Sequence, residues 1–123
     1  MRNRNQKGRC IKQTLPHFEG VVRTYDDLQE AAAKMLSGCE DYQAIRANVD
    51  CCKVDDVAYT TDFVCQKGDG TYAVFECVYR KHLDKPKTVK LLSASQQFWE
   101  GRGAQWGIIT DGEAKKGGAD NDR

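Results

Sequence analysis

The chain of 123 residues sets 19 lysines and arginines against 18 acids, a formal charge of +1, with 40% apolar and 30% charged residues. Those proportions suit one ordinary globular domain and argue against a disordered or fibrous chain. No run reaches the roughly 18 consecutive apolar residues of a membrane helix, and the basic start MRNRNQKGRCIK has no apolar stretch behind it to make a signal peptide, so a cytoplasmic protein without membrane contact is expected.

Six cysteines in a secreted chain would suggest disulfides, but Cys10, Cys39, Cys51, Cys52, Cys65 and Cys77 contain no CxxC pair. His17 and His82 lie at no zinc-like spacing from them. The thiols are expected to be reduced and to behave as small hydrophobes. A redox or zinc function has only the cysteine count behind it.

The near-neutral total leaves no overall electrostatic footprint for nucleic acid. Charge is nevertheless clustered: Arg2, Arg4, Lys7, Arg9 and Lys12 form a basic arm, and the stretch from Arg80 to Lys90 contains Asp84 as its only acid. Either cluster, with Arg80 and Lys81 leading the second, could meet DNA phosphates, or be a solvated terminus and loop.

In chain order, residues 1–23 are polar and interrupted by Pro16 and Gly20, which predicts a largely irregular arm with at most one short extended piece. A helix is predicted from near Asp27, capped by Thr24 or Asp26. Leu28, Ala31, Ala32, Met35 and Leu36 recur along it until Ser37-Gly38 ends it. Weak alternation at Ile45, Ala47, Val49 and Cys51 predicts a strand over 44–54.

Val57 to Gln66 and Thr71 to Tyr79 read as two strands joined by the turn Lys67-Gly68-Asp69-Gly70. A second helix follows Pro86 and is closed by Gly101 and Gly103; Trp106 to Thr110 is a last short strand. The domain is expected to span 24–111, an α/β unit whose last helix crosses over to set the final strand beside an earlier one. Residues 112–123 read as a free tail.

The hairpin suggests chemistry. Asp62 lies on its first strand and Glu76, acidic within an apolar run, on its second. Carboxylates brought together in this way can hold a divalent cation, which activates water and neutralises charge on a phosphodiester. A strand-edge acid facing water is the plainer alternative.

The order of segments Thr60-Thr61-Asp62-Phe63-Val64, Lys67-Gly68-Asp69-Gly70 and Phe75-Glu76-Cys77-Val78 resembles the core of TnsA-like endonucleases, the nuclease subunits of heteromeric bacterial transposases. The likeness continues through Leu83-Asp84-Lys85-Pro86-Lys87-Thr88, Phe98-Trp99-Glu100-Gly101-Arg102-Gly103 and Trp106-Gly107-Ile108-Ile109-Thr110-Asp111. It implies a restriction-endonuclease-like core: a mixed sheet with a central β-hairpin flanked by helices. It also implies DNA as substrate and Mg²⁺, or Mn²⁺ as substitute, as cofactor.

In that family a glutamate from an upstream helix joins the site. Leu28-Gln29-Glu30 resembles that helix start, so the resemblance nominates Glu30 beside Asp62 and Glu76, with Gln29 as the one-residue alternative. Ile45-Arg46-Ala47-Asn48 resembles the strand that follows it.

The family's catalytic lysine falls two residues after the strand carboxylate, where this chain has Val78. Lys34 is the nominated substitute, one turn after Glu30, although an ordinary ion pair with Glu30 explains it too. Arg80 cannot act as a base, and Lys81 would need a bulge to turn inward. The chain also ends soon after Asp111, where the transposase subunit continues into a domain for partner contacts. Two readings stand: a metal-dependent endonuclease of a transposase or of a phage or mobile element, with a protein partner, and a degenerate nuclease fold that binds DNA or protein without cutting.

Overall fold

The computed structural model describes residues 2–3 and 10–114. Its elements run β1 (Arg2–Asn3), β2 (Ile11–Gln13), β3 (Val22–Thr24), α1 (Asp27–Ser37), β4 (Tyr42–Val54), β5 (Val57–Lys67), β6 (Tyr72–Cys77), a 3-10 turn (Arg80–His82), α2 (Pro86–Glu100), β7 (Gln105–Ile109) and α3 (Asp111–Ala114).

Strands β4, β5 and β6 run antiparallel in sequence, and β7 lies parallel to β6 after the crossover through α2. The result is a mixed sheet centred on the β5–β6 hairpin, an α/β architecture of restriction-endonuclease-like type. β1 pairs with β5 at Thr60 and Tyr59. Because β4 already takes the other edge of those two residues, β1 lies on the edge that β6 has left.

Local chemistry explains the elements. The Asp26 side chain accepts from the Gln29 amide at 2.8 Å and caps α1, as a short polar residue with extended backbone should. The β4–β5 connection is a two-residue turn in which Asp55 and Asp56 both have positive φ, 53° and 65°. That is the mirror-image turn whose twist suits a hairpin. Gly70, at φ 89°, closes the β5–β6 turn, and the Asp69 carboxylate accepts from both the amide and the hydroxyl of Thr71.

The core lies between α1 and one face of the sheet: Leu28, Ala32, Ala33 and Leu36 pack on Ile45, Phe63, Cys65, Ala73, Cys77 and Ile109. α2 covers the other face with Leu92 and Ser95 buried. Residues 10–24 are more ordered than their composition suggests. β2 and β3 pair with each other, Phe18 bridges to Ile45, and Val22, 2% exposed, belongs to the core. The segment is held by backbone bonds to the edge of β4, such as Ile45 N to His17 O at 2.8 Å, which leave little trace in side-chain pattern.

All six cysteines are free, Cys65 and Cys77 being buried. Among the described residues no helix is long and apolar enough to cross a membrane. Most of the basic arm (Arg4, Lys7, Arg9) and the tail beyond residue 114 lie outside the described residues.

Candidate active site

The β5–β6 ladder ends at Phe63 opposite Phe75, and the next pair of residues is Asp62 and Glu76. Beyond that point the strands part, and carboxylates replace carbonyls as acceptors. The Asp62 amide donates to Glu76 Oε1 at 3.2 Å, and the Cys77 amide donates to Asp62 Oδ2 at 2.7 Å. Each carboxylate therefore holds the other strand's backbone, and both side chains have no solvent exposure.

The two meet where the hairpin opens but take further partners from different helices. Strict alternation would set Asp62 opposite Phe63. Instead Asp62 Oδ1 reaches toward α1, 3.3 Å from Gln29 Nε2, while Thr61 accepts from Trp99 of α2 at 2.8 Å. On β4 the facing position is Asn48, at φ 57°, and the β4–β5 ladder skips it, passing from Ala47–Phe63 to Val49–Thr61. A left-handed residue in a strand is uncommon and is best tolerated by Asn, Asp or Gly. Gln29 Nε2 also donates to Asn48 Oδ1 at 2.9 Å, and Asn48 Nδ2 donates to the Arg23 carbonyl at 2.8 Å.

On the α2 side Glu76 Oε2 accepts from the Tyr59 hydroxyl at 2.6 Å and the Ser95 hydroxyl at 2.5 Å, and Trp106 Nε1 donates to Ser95 Oγ at 2.9 Å. Burial, with the nearby Asp62 carboxylate second, pushes the Glu76 carboxyl up to about 7. Burial and then the charge of Glu76 raise the Tyr59 phenol, which keeps it a proton donor.

Of the residues nominated from sequence, Asp62 and Glu76 come together. Glu30 does not join them: its carboxylate meets Gln13 Nε2 at 3.3 Å and Lys34 Nζ at 3.3 Å on the outer face of α1. One residue is about 100° around a helix, and it is Gln29, with no exposure, that faces Asp62. Lys34 is exposed and paired with Glu30, so neither it nor Glu30 completes the carboxylate pair.

Arg80 is engaged with Asp111 at 3.6 Å, and the Lys81 ammonium lies 5.9 Å from the Tyr79 ring centroid. Lys12 is exposed on β2. Val78, 4% exposed, fills the lysine position with its amide bonded to the Ile109 carbonyl.

Tyr59, Asn48, Ser95 and Trp106 join the site beyond the residues nominated from sequence. Ser95 had a signal: it falls on the same helical stripe as Leu92 and Trp99, where a hydroxyl needs a partner. Asn48 had none, since its role rests on a backbone conformation.

Mg²⁺ takes oxygen ligands and is commonly held by one or two carboxylates, with water and substrate phosphate completing its shell. Asp62 and Glu76 offer two such carboxylates, adjacent and buried, with Glu76 raised partly by its neighbour's charge. The three-carboxylate set expected from sequence is not assembled: among the described residues no three His, Cys, Asp or Glu side chains gather to hold a metal.

A mixed sheet with paired carboxylates where its central hairpin opens, flanked by helices on both faces, defines a restriction-endonuclease-like module. Residues 36–111, well over half of the chain, match the family model described as TnsA-like endonuclease N terminal, and the chain belongs to that family. The match covers Asp62, Glu76 and Val78 but begins after Gln29 and Glu30. No curated protein matches the chain.

Proposed function

We propose that the protein is a metal-dependent DNA endonuclease of transposition or of a related mobile element, with Asp62 and Glu76 as its cation ligands. The observation that carries this reading is the pair itself. Two carboxylates without solvent exposure stand side by side, and Glu76 is raised by burial and by Asp62, an arrangement that a divalent cation would relieve.

Magnesium, or manganese in its place, would supply a polarised water and neutralise charge on the phosphate. Gln29 and Asn48 orient Asp62; Tyr59, Ser95 and Trp106 orient Glu76. The basic residues Arg2, Arg4, Lys7, Arg9, Lys12, Arg80 and Lys81 would meet phosphates, with DNA and a transposase or phage component as partners in the cytoplasm.

The test is nicking or linearisation of supercoiled plasmid with Mg²⁺ or Mn²⁺. Wild type is expected to cut and Asp62→Asn to lose at least a hundredfold in rate, a loss on the order of 3 kcal/mol of transition-state stabilisation. Equal cutting by the two proteins would rule the reading out.

A second reading has its own support. An amide, Gln29, faces Asp62 while Glu30, the acid that the family resemblance nominates, pairs with Lys34, and buried Val78 stands where the resemblance puts a lysine. Together these describe a nuclease fold that engages DNA or a protein without cutting. Its signature is metal-independent DNA binding by wild type and Asp62→Asn alike, with no cleavage by either.

A further inference from the structure

A cleft of about 540 Å³ opens between residues 18–25 and the edge of β4. Its wall includes five consecutive β4 residues, 46–50, so it runs along the strand edge rather than over one face. The volume falls in the range of small-molecule sites, roughly 300–1,000 Å³.

Three features tie the cleft to the carboxylate pair. Asn48 forms part of its wall, and a single nitrogen, Gln29 Nε2, bonds both Asn48 and Asp62, so one side chain separates cleft from site. Arg23 and Arg46 line it from opposite walls, exposed, and among the described residues neither forms an ion pair. Tyr25, half-buried, adds an aromatic ring to the same lining.

Arginine presents a planar fork of donors that matches phosphate oxygens, and an aromatic ring offers a base a stacking face. Glu19 and Asp50 also border the cleft, so it has no net charge. Recognition would therefore come from the guanidinium geometry and not from a general positive field.

We propose that this cleft seats the DNA strand flanking the scissile phosphate, with Arg23 and Arg46 on its phosphates and Tyr25 against the adjoining base. The proposal rests on the nuclease reading above, and it assigns DNA contact to residues outside both basic clusters of the sequence.

The experiment measures binding of a fluorescent DNA duplex with a single-stranded overhang, by anisotropy in EDTA over a series of salt concentrations. Wild type, Arg23→Ala, Arg46→Ala, the double variant and Lys53→Ala are compared. Each arginine replacement is expected to weaken binding roughly five- to tenfold and to lower the salt slope by about 1, the double variant by about 2. Lys53→Ala, which removes the same charge from β4 away from the cleft lining, is expected to change neither.

A double variant that binds with wild-type affinity and slope overturns the proposal, as does a wild type with no DNA affinity. Running Asp62→Asn in parallel separates the two claims. Arginine-dependent binding with no cleavage by wild type removes the nuclease reading and keeps the cleft; cleavage unaffected by the double variant removes the cleft and keeps the nuclease.

Discussion

At Glu76, burial and the Asp62 carboxylate both oppose ionisation, raising it from an ordinary 4.5 to about 7. The folded state then holds the proton more tightly than the unfolded chain. Its contribution to stability is therefore complete below about 4.5 and is lost as pH rises through about 7. Urea unfolding of the metal-free protein should show stability falling across that interval. Glu76→Gln should flatten this part of the profile, and a profile equally steep in both proteins would dissociate the effect from Glu76.

Tyr59 acts on the same carboxylate from the opposite direction, since its hydroxyl donates to Glu76 Oε2 and favours the charged form. Tyr59→Phe should cost about 1–2 kcal/mol and move the falling limb to higher pH. A limb that moves to lower pH would contradict the assigned hydrogen bond.

At the scale of elements, β4 owes its irregularity to Asn48, whose positive φ lets its side chain bridge Gln29 and the Arg23 carbonyl. Asn48→Gly loses the bridge but tolerates the backbone; Asn48→Ala loses the bridge and strains it. Alanine should therefore be the more destabilising by about 1 kcal/mol, the reverse of the usual preference for alanine over glycine within a strand, as read by the difference in unfolding free energy. Equal or opposite ranking would mean the left-handed conformation is not maintained.

The same element shows what sequence could and could not reveal. The β5–β6 hairpin and the α2 crossover were legible because β-branched runs, the Lys67–Gly70 turn and the glycines after α2 each act locally. The choice between Gln29 and Glu30 was not, because both lie within one turn of α1 and tertiary contacts with Asn48 and Asp62 decide which faces inward. The turn at Asp55-Asp56 and the pairing of β2 with β3 escaped for a related reason, since both depend on backbone geometry that those residue types only permit.

Across the whole molecule, the sheet opens where its central strands carry acids, and helices on both faces supply the donors that hold them. α1 brings Gln29 to Asp62 and α2 brings Ser95 to Glu76, so each carboxylate takes a donor from its own helix. This division explains how the fold retains the pair although the expected lysine is Val78 and the expected helix acid faces away. The central claim is that a divalent cation belongs to Asp62 and Glu76 and not to Glu30. Calorimetric titration with Mn²⁺ at pH 8 tests it most directly: wild type and Glu30→Gln are predicted to bind alike, while Asp62→Asn and Glu76→Gln each weaken binding at least tenfold. Loss of binding in Glu30→Gln, with retention in Asp62→Asn, would contradict the account.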